Sequence, residues 1–176
     1  FDTLGEVAVL FMVAAGVGLV LGGGAPVREE TAAAQAEEPT PSSELVQNGA
    51  SILLPLISIF AAYIIMNGHI SAGGGFQGGA ILASAILMLL LADPLREFSH
   101  RLISVIESIS GLLFVAVGLL GMVYAGGFLD NRILPLGTLG DLISAGAIPV
   151  IYSFIGLKVG AEFSSMMVNL SETEEP

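Results

Sequence analysis

The stretch Asn67-Gly68-His69-Ile70-Ser71-Ala72-Gly73-Gly74-Gly75-Phe76-Gln77-Gly78-Gly79 lies between two apolar runs, residues 52–66 and 80–92, and its reading decides the fold. A bilayer core about 30 Å thick needs about 20 mostly apolar residues in a helix rising about 1.5 Å per residue. Residues 80–92 alone are too few, whereas a helix that starts inside the glycines is long enough, so the third helix is placed there. The run before it spans if a turn is added from upstream, with Pro55 near its start, where a missing backbone N–H costs least. Together the two runs read as a membrane hairpin.

Working outward, the whole chain agrees. Of 176 residues, 54% are hydrophobic and 12% charged, and the mean hydropathy is +0.87. That leaves too few polar side chains to clothe a water-soluble globule and no room for a separate soluble catalytic domain. The expected fold is all-α, a polytopic bundle of about five transmembrane helices at 7–21, 52–66, from within the glycines to 92, 102–124 and 142–170. Ala14, Gly18 and Gly22 in the first helix, Gly111, Gly118 and Gly121 in the fourth, and the Gly156-xxx-Gly160 face in the fifth mark close helix contacts; Pro149 marks a kink.

Residues 25–48 change character to Pro, Ala, Ser, Thr and acids, with almost nothing to bury, and read as an acidic disordered linker. The chain therefore divides into a first helix (1–24), this linker, a four-helix membrane domain (49–170) and an acidic tail (171–176). It opens on Phe rather than Met and runs straight into an apolar helix, which points to an upstream segment; no basic stretch or small-residue cleavage site marks a signal peptide. With no cysteine, thiolate zinc sites and cysteine-ligated clusters are excluded within the chain. The net charge of −11 argues against nucleic acid and against anchoring on anionic lipid. Arg96 and Arg101 form the one cationic cluster, and the positive-inside rule puts that connection, the linker and the C-terminus in the cytoplasm.

Few residues can carry chemistry. Gly73, Gly75 and Gly78 satisfy G-x-G-x-x-G formally, but a dinucleotide turn needs a buried strand before it, and this one lies between membrane segments. The glycines read either as a flexible turn or as backbone packed on a neighbour or lining a wet cavity. His69 and His100 are separated by the third helix, too far apart for one haem; His69 is a helix-end hydrogen bonder or a proton relay. Lys158 and Glu162 share a helix face near the middle of the fifth helix, either as a self-neutralising structural pair or as an ion or proton station. Glu107 and Glu6 are single carboxylates that serve as protonatable steps or sit among lipid headgroups. The methionines read as bundle filler.

The glycine stretch resembles the GH-x-x-PGGGF-x-GG signature of the MnhB/MrpB subunit of Mrp-type multisubunit cation/proton antiporters, matching at Gly68, His69, Gly73, Gly74, Gly75, Phe76, Gly78 and Gly79 and departing at Ala72, where proline is usual. The resemblance covers about residues 47–170 and implies about four helices. Phe1-Asp2-Thr3-Leu4-Gly5-Glu6 resembles a second signature, at the C-terminal end of the large MrpA subunit, which precedes one last membrane helix. Such modules also occur inside archaeal membrane-bound hydrogenases and sulfane sulfur reductases. The resemblance implies a non-catalytic, multi-pass cell-membrane subunit with no cofactor, working with other membrane subunits, with Na⁺ or H⁺ as cargo and Glu6 as the ion-path carboxylate. The alternatives it leaves are an ion-translocating module of a respiratory redox complex and a purely structural membrane scaffold.

Overall fold

The computed structural model describes residues 2–22, 42–94, 96, 98–138 and 140–173. Among them are five α-helices and no strand: α1 (Asp2–Gly22), α2 (Glu44–Met66), α3 (Gly75–Ala92), α4 (His100–Tyr124) and α5 (Ile148–Thr173), with a short 3₁₀ turn at Asn131–Ile133. Residues 23–41, most of the expected linker, lie outside the described residues, as do residues 174–176 of the expected tail.

The third helix starts where the glycine reading put it. Gly74 is the residue before its first turn, with φ +157°, and Gly75 opens the helix. Elsewhere several boundaries move. The second helix reaches back to Glu44, inside the stretch read as linker, with an acid in its first turn that suits the helix dipole. Pro55 therefore sits midway along α2 rather than near its start, where it leaves one backbone carbonyl without its helical partner. The fifth helix starts at Ile148, not at 142, because the preceding residues fold into an ordered loop. Ala145 and Gly146 have φ near +67°, Ala145 N–H donates to the Leu136 carbonyl at 2.8 Å, and Ala147 N–H donates to the Asn131 carbonyl at 3.1 Å. Pro149 consequently falls in the first turn of α5, where its absent N–H has no helical partner to lose, and it makes no kink.

By length and composition, α1, α2, α3 and α4 are apolar enough to cross a membrane. At 26 residues α5 is long enough, but Lys158 and Glu162 make it the least apolar of the five. The arrangement resolves this: α5 is the central helix, and α1, α2, α3 and α4 all pack against it. Its charged face meets protein, while exposed Leu, Ile, Val and Phe side chains cover the outer helices, as a lipid-facing surface requires. The protein is a multi-pass membrane protein.

The α3–α5 seam explains the glycines. A Cβ on Gly75 would stand 2.6 Å from the Tyr152 carbonyl oxygen, and one on Gly79 would stand 2.7 Å from that of Gly156. Across the seam, Gly156 lies against the Gly75 carbonyl and Gly160 against Leu82, while Ile65 of α2 also abuts Gly156. Two small-xxx-small faces thus cross each other backbone to backbone. By contrast, nothing lies within 4 Å of a Cβ at Gly18, so that residue does not make the expected close contact; the surroundings of Gly22 lie outside what is described. α1 holds to the bundle through Val7 and Leu10, which join Phe114, Ile151, Ile155 and Val159 in one buried cluster. Gly118 and Gly121 do have close neighbours, Phe128 and the Gly127 carbonyl; these belong to the α4–α5 loop rather than to another helix.

Candidate functional site

Three charged groups meet in the interior. Lys158 on α5 donates to Glu162 one turn later, and its Nζ lies 4.0 Å from Glu107 Oε1 on α4. The helix spacing of four residues puts the first two on one face; Gly111, whose absent side chain leaves room beside the Lys158 methylenes, lets α4 bring Glu107 near. α1 closes the third side with the Phe11 ring, whose centroid is 5.5 Å from Nζ, close enough for cation–π attraction. Glu162 is fully buried, and its Oε2 has no hydrogen-bond partner. Glu107 stays about a quarter exposed at its side chain. A cavity of about 300 Å³ adjoins Lys158, walled by apolar side chains that include Leu4, Val7, Phe11 and Phe114.

His69 is remote from this cluster. It lies in the α2–α3 loop and its Nε2 is 2.9 Å from Ser144 Oγ and 3.4 Å from the Asp141 carbonyl, both in the loop before α5. Ser144 Oγ in turn donates to that carbonyl at 2.7 Å. The ring Nδ1 is buried and has no partner. Among the described residues, then, His69 ties two loops at one end of the bundle.

Glu6 stands at the same end. It is exposed and lines a polar groove of about 240 Å³ whose other walls are Gly73, Gly74, Gln77 and Tyr152. Glu6 of the first signature therefore faces the glycines of the second across one groove. Five residues separate Glu6 from Phe11, about 8 Å along α1 at 1.5 Å per residue, so one helix borders both the groove and the charged cluster. The structure brings Glu107, Lys158 and Glu162 together, sets Glu6 at the mouth, and leaves His69 as a loop tie. Phe76 packs edge to face on Phe163 of α5, centroids 6.0 Å apart, a helix contact rather than a ligand contact.

Comparison with known proteins decides the family. Residues 45–165 match the family described as "Domain related to MnhB subunit of Na+/H+ antiporter". The chain belongs to the MnhB family. Among curated relatives, an uncharacterized protein of Methanocaldococcus jannaschii, 32% identical over 145 residues, covers 76% of this chain and is itself covered over 53% of its length. The B subunit of the Na⁺/H⁺ antiporter of Bacillus subtilis is 33% identical over 90 residues, 49% of this chain and 63% of its own. The chain thus spans between half and two thirds of the curated relatives it matches. Among solved structures, a chain of the membrane-bound sulfane sulfur reductase, an archaeal respiratory membrane complex, superposes with TM-score 0.78 at 39% identity, covering 96% of this chain and 72% of that one.

The MnhB match takes in the glycine loop, Glu107, Lys158 and Glu162 but not Glu6. What sequence reasoning did not find is that Gly75 and Gly79 form the mate of Gly156 and Gly160, although their four-residue spacing was there to be read. It also missed Phe11 and the approach of Glu107 to Lys158, which depend on how three helices cross and leave no periodic trace.

Proposed function

We propose that this MnhB-family chain is a membrane subunit, with no catalysis and no cofactor of its own, of an Mrp-type Na⁺/H⁺ antiporter in the cell membrane, where it contributes to cation and proton movement alongside other membrane subunits. The observation that supports this best is the buried cluster of Glu107, Lys158 and Glu162. Charge is costly inside a bilayer, and replacing such a buried pair by apolar residues is often neutral or stabilising, so packing alone does not call for it. Glu6 and the charged cluster stand at different depths. Glu6 lies near one membrane face, Lys158 and Glu162 in the middle of α5, and Glu107 about 10 Å from the start of α4 at 1.5 Å per residue, toward the other face. That is part of a path, to be completed by neighbouring subunits.

The test is transport by the assembled complex in everted membrane vesicles. Glu162→Gln and Glu107→Gln each lower Na⁺-dependent proton efflux by about tenfold or more, equal to about 1.4 kcal/mol in the barrier, with assembly unchanged. If both variants transport as the wild type does, the scaffold reading replaces this one.

The match to the sulfane sulfur reductase chain favours a second reading, in which the same module belongs to a redox-driven complex. Gentle purification of the tagged chain, with mass spectrometry and an iron and nickel assay on the same sample, separates the two. Metal-free antiporter subunits support the first, and iron-bearing partners the second.

A further inference from the structure

The central cluster does not balance. Two carboxylates, Glu107 and Glu162, share one ammonium, Lys158, so with all three ionised it carries one net negative charge. Among the described residues no other ionisable side chain is at hand to cancel it. α1 between residues 7 and 22 and the whole of α3 contain none, and on α2 the ionisable groups are Glu44 and Tyr63, in its first and last turns. On α4, His100 and Arg101 stand at the start of the helix, about two turns before Glu107, and the remaining ionisable groups of α5, Tyr152 and Glu172, lie about two turns or more away along that helix. The adjoining cavity is lined by apolar side chains. Meanwhile Glu162 keeps one carboxylate oxygen buried with no partner. With one oxygen sealed from water and from every donor, ionised Glu162 is held only by the ammonium at its other oxygen.

We propose that this cluster stores one exchangeable proton, and that Lys158 changes partner when the proton passes from one carboxyl to the other. In one state Lys158 holds Glu162, the pairing the structure shows, and the proton is on Glu107. In the other the proton is on Glu162, and the ammonium, keeping all three of its hydrogens, moves across the 4.0 Å gap to pair with ionised Glu107. Each state is neutral, and the proton is the species transferred. The Phe11 ring gives the ammonium a weakly attractive surface between its two partners. A Na⁺ ion fits this place poorly, since hard cations take a shell of oxygens and the described residues form no group of three or more acidic or histidine side chains that could hold a metal. The proposal gives the ion path proposed above its chemical species at this point, and so rests on that reading for its role, though not for its existence.

The experiment is infrared spectroscopy of the full chain in lipid nanodiscs, following the carbonyl band of protonated carboxyl groups during a pH titration in H₂O and D₂O. The wild type shows a band from one buried carboxyl that shifts in D₂O. Either Glu162→Gln or Glu107→Gln abolishes it, because one carboxylate then balances one ammonium, whereas Lys158→Met doubles it. Absence of the band in the wild type, or its survival in both Gln variants, overturns the proposal, and so does its loss on replacing K⁺ with Na⁺ at fixed pH, which would make the cluster a sodium site. The wild-type measurement stands whether or not a variant folds. If the band behaves as expected while transport by the Gln variants is intact, the proton store holds and the transport reading fails. A missing band with transport still sensitive to Glu162→Gln does the opposite, overturning the proton store and leaving the transport reading in place.

Discussion

Gly79 has no room for a methyl group: its added Cβ would meet the Gly156 carbonyl at 2.7 Å and Val159 Cβ at the same distance. Gly79→Ala therefore forces α3 from α5 and lowers stability by about 1–3 kcal/mol, the usual cost of overpacking, read as a lower midpoint in detergent-induced unfolding. Gly18→Ala, with open space around it, leaves the midpoint unchanged or raises it by about 0.5–1 kcal/mol, since glycine weakens a helix interior. A different residue-level effect belongs to Asp130 in the α4–α5 loop. Hydrogen bonds from the Arg132 side chain and then its backbone N–H hold the Asp130 carboxyl at about 2, below its ordinary 3.8. Because the folded value is depressed, the stabilisation is present above the ordinary value and is lost as pH falls from about 4 toward 2. Asp130→Asn removes that pH dependence, and proteolysis of the loop as a function of pH measures it. The glycine signature was legible in the sequence as a specific string, but which glycines face which helix was not, because a string holds no crossing angle.

At the scale of elements, apolar length located α1 to α4 but misjudged where α2 and α5 start. For α5 the reason lies at Ala145 and Gly146, whose positive φ halts a helix that hydropathy alone would extend back to residue 142. Likewise α2 took in polar residues from Glu44 onward, since hydropathy marks where lipid is, and a helix can continue past it into the headgroups. The attachment of α1 is the weakest joint. Leu10, buried at 6% exposure, sits in the cluster that joins α1 to α5. Leu10→Ala costs less than the about 2–5 kcal/mol typical of a water-soluble core, because lipid chains replace much of what is lost and only packing remains. The expected outcome is a looser α1, seen as faster hydrogen exchange in α1 with α2 and α3 unchanged.

For the whole molecule, five crossings put the α2–α3 loop, the α4–α5 loop and Glu6 on one side, and Ser42, the α3–α4 connection and the end of α5 on the other. Two contacts support this grouping: Ser42 Oγ donates to the Ala92 carbonyl at 2.5 Å, and His69 meets Ser144. A chain without cysteine allows a direct check. Single cysteines at Ser42 and Ser171 label together with a membrane-impermeant maleimide from one side, and a cysteine at Ile70 labels only from the other; a mixed pattern refutes the arrangement. The positive-inside rule, applied to Arg96 and Arg101, gives the expected outcome that the first pair labels only in inside-out vesicles. The central place of α5 also bears on how the protein is made. This helix follows the other four in chain order, yet it is the one that all of them enclose. It enters the bilayer with Lys158 and Glu162 one turn apart, a cation and an anion that shield each other before any neighbour is met. The ion pair thus lets the segment carry both charges into the bilayer as one neutral unit, to join a bundle in which α2 and α3 also pack on each other.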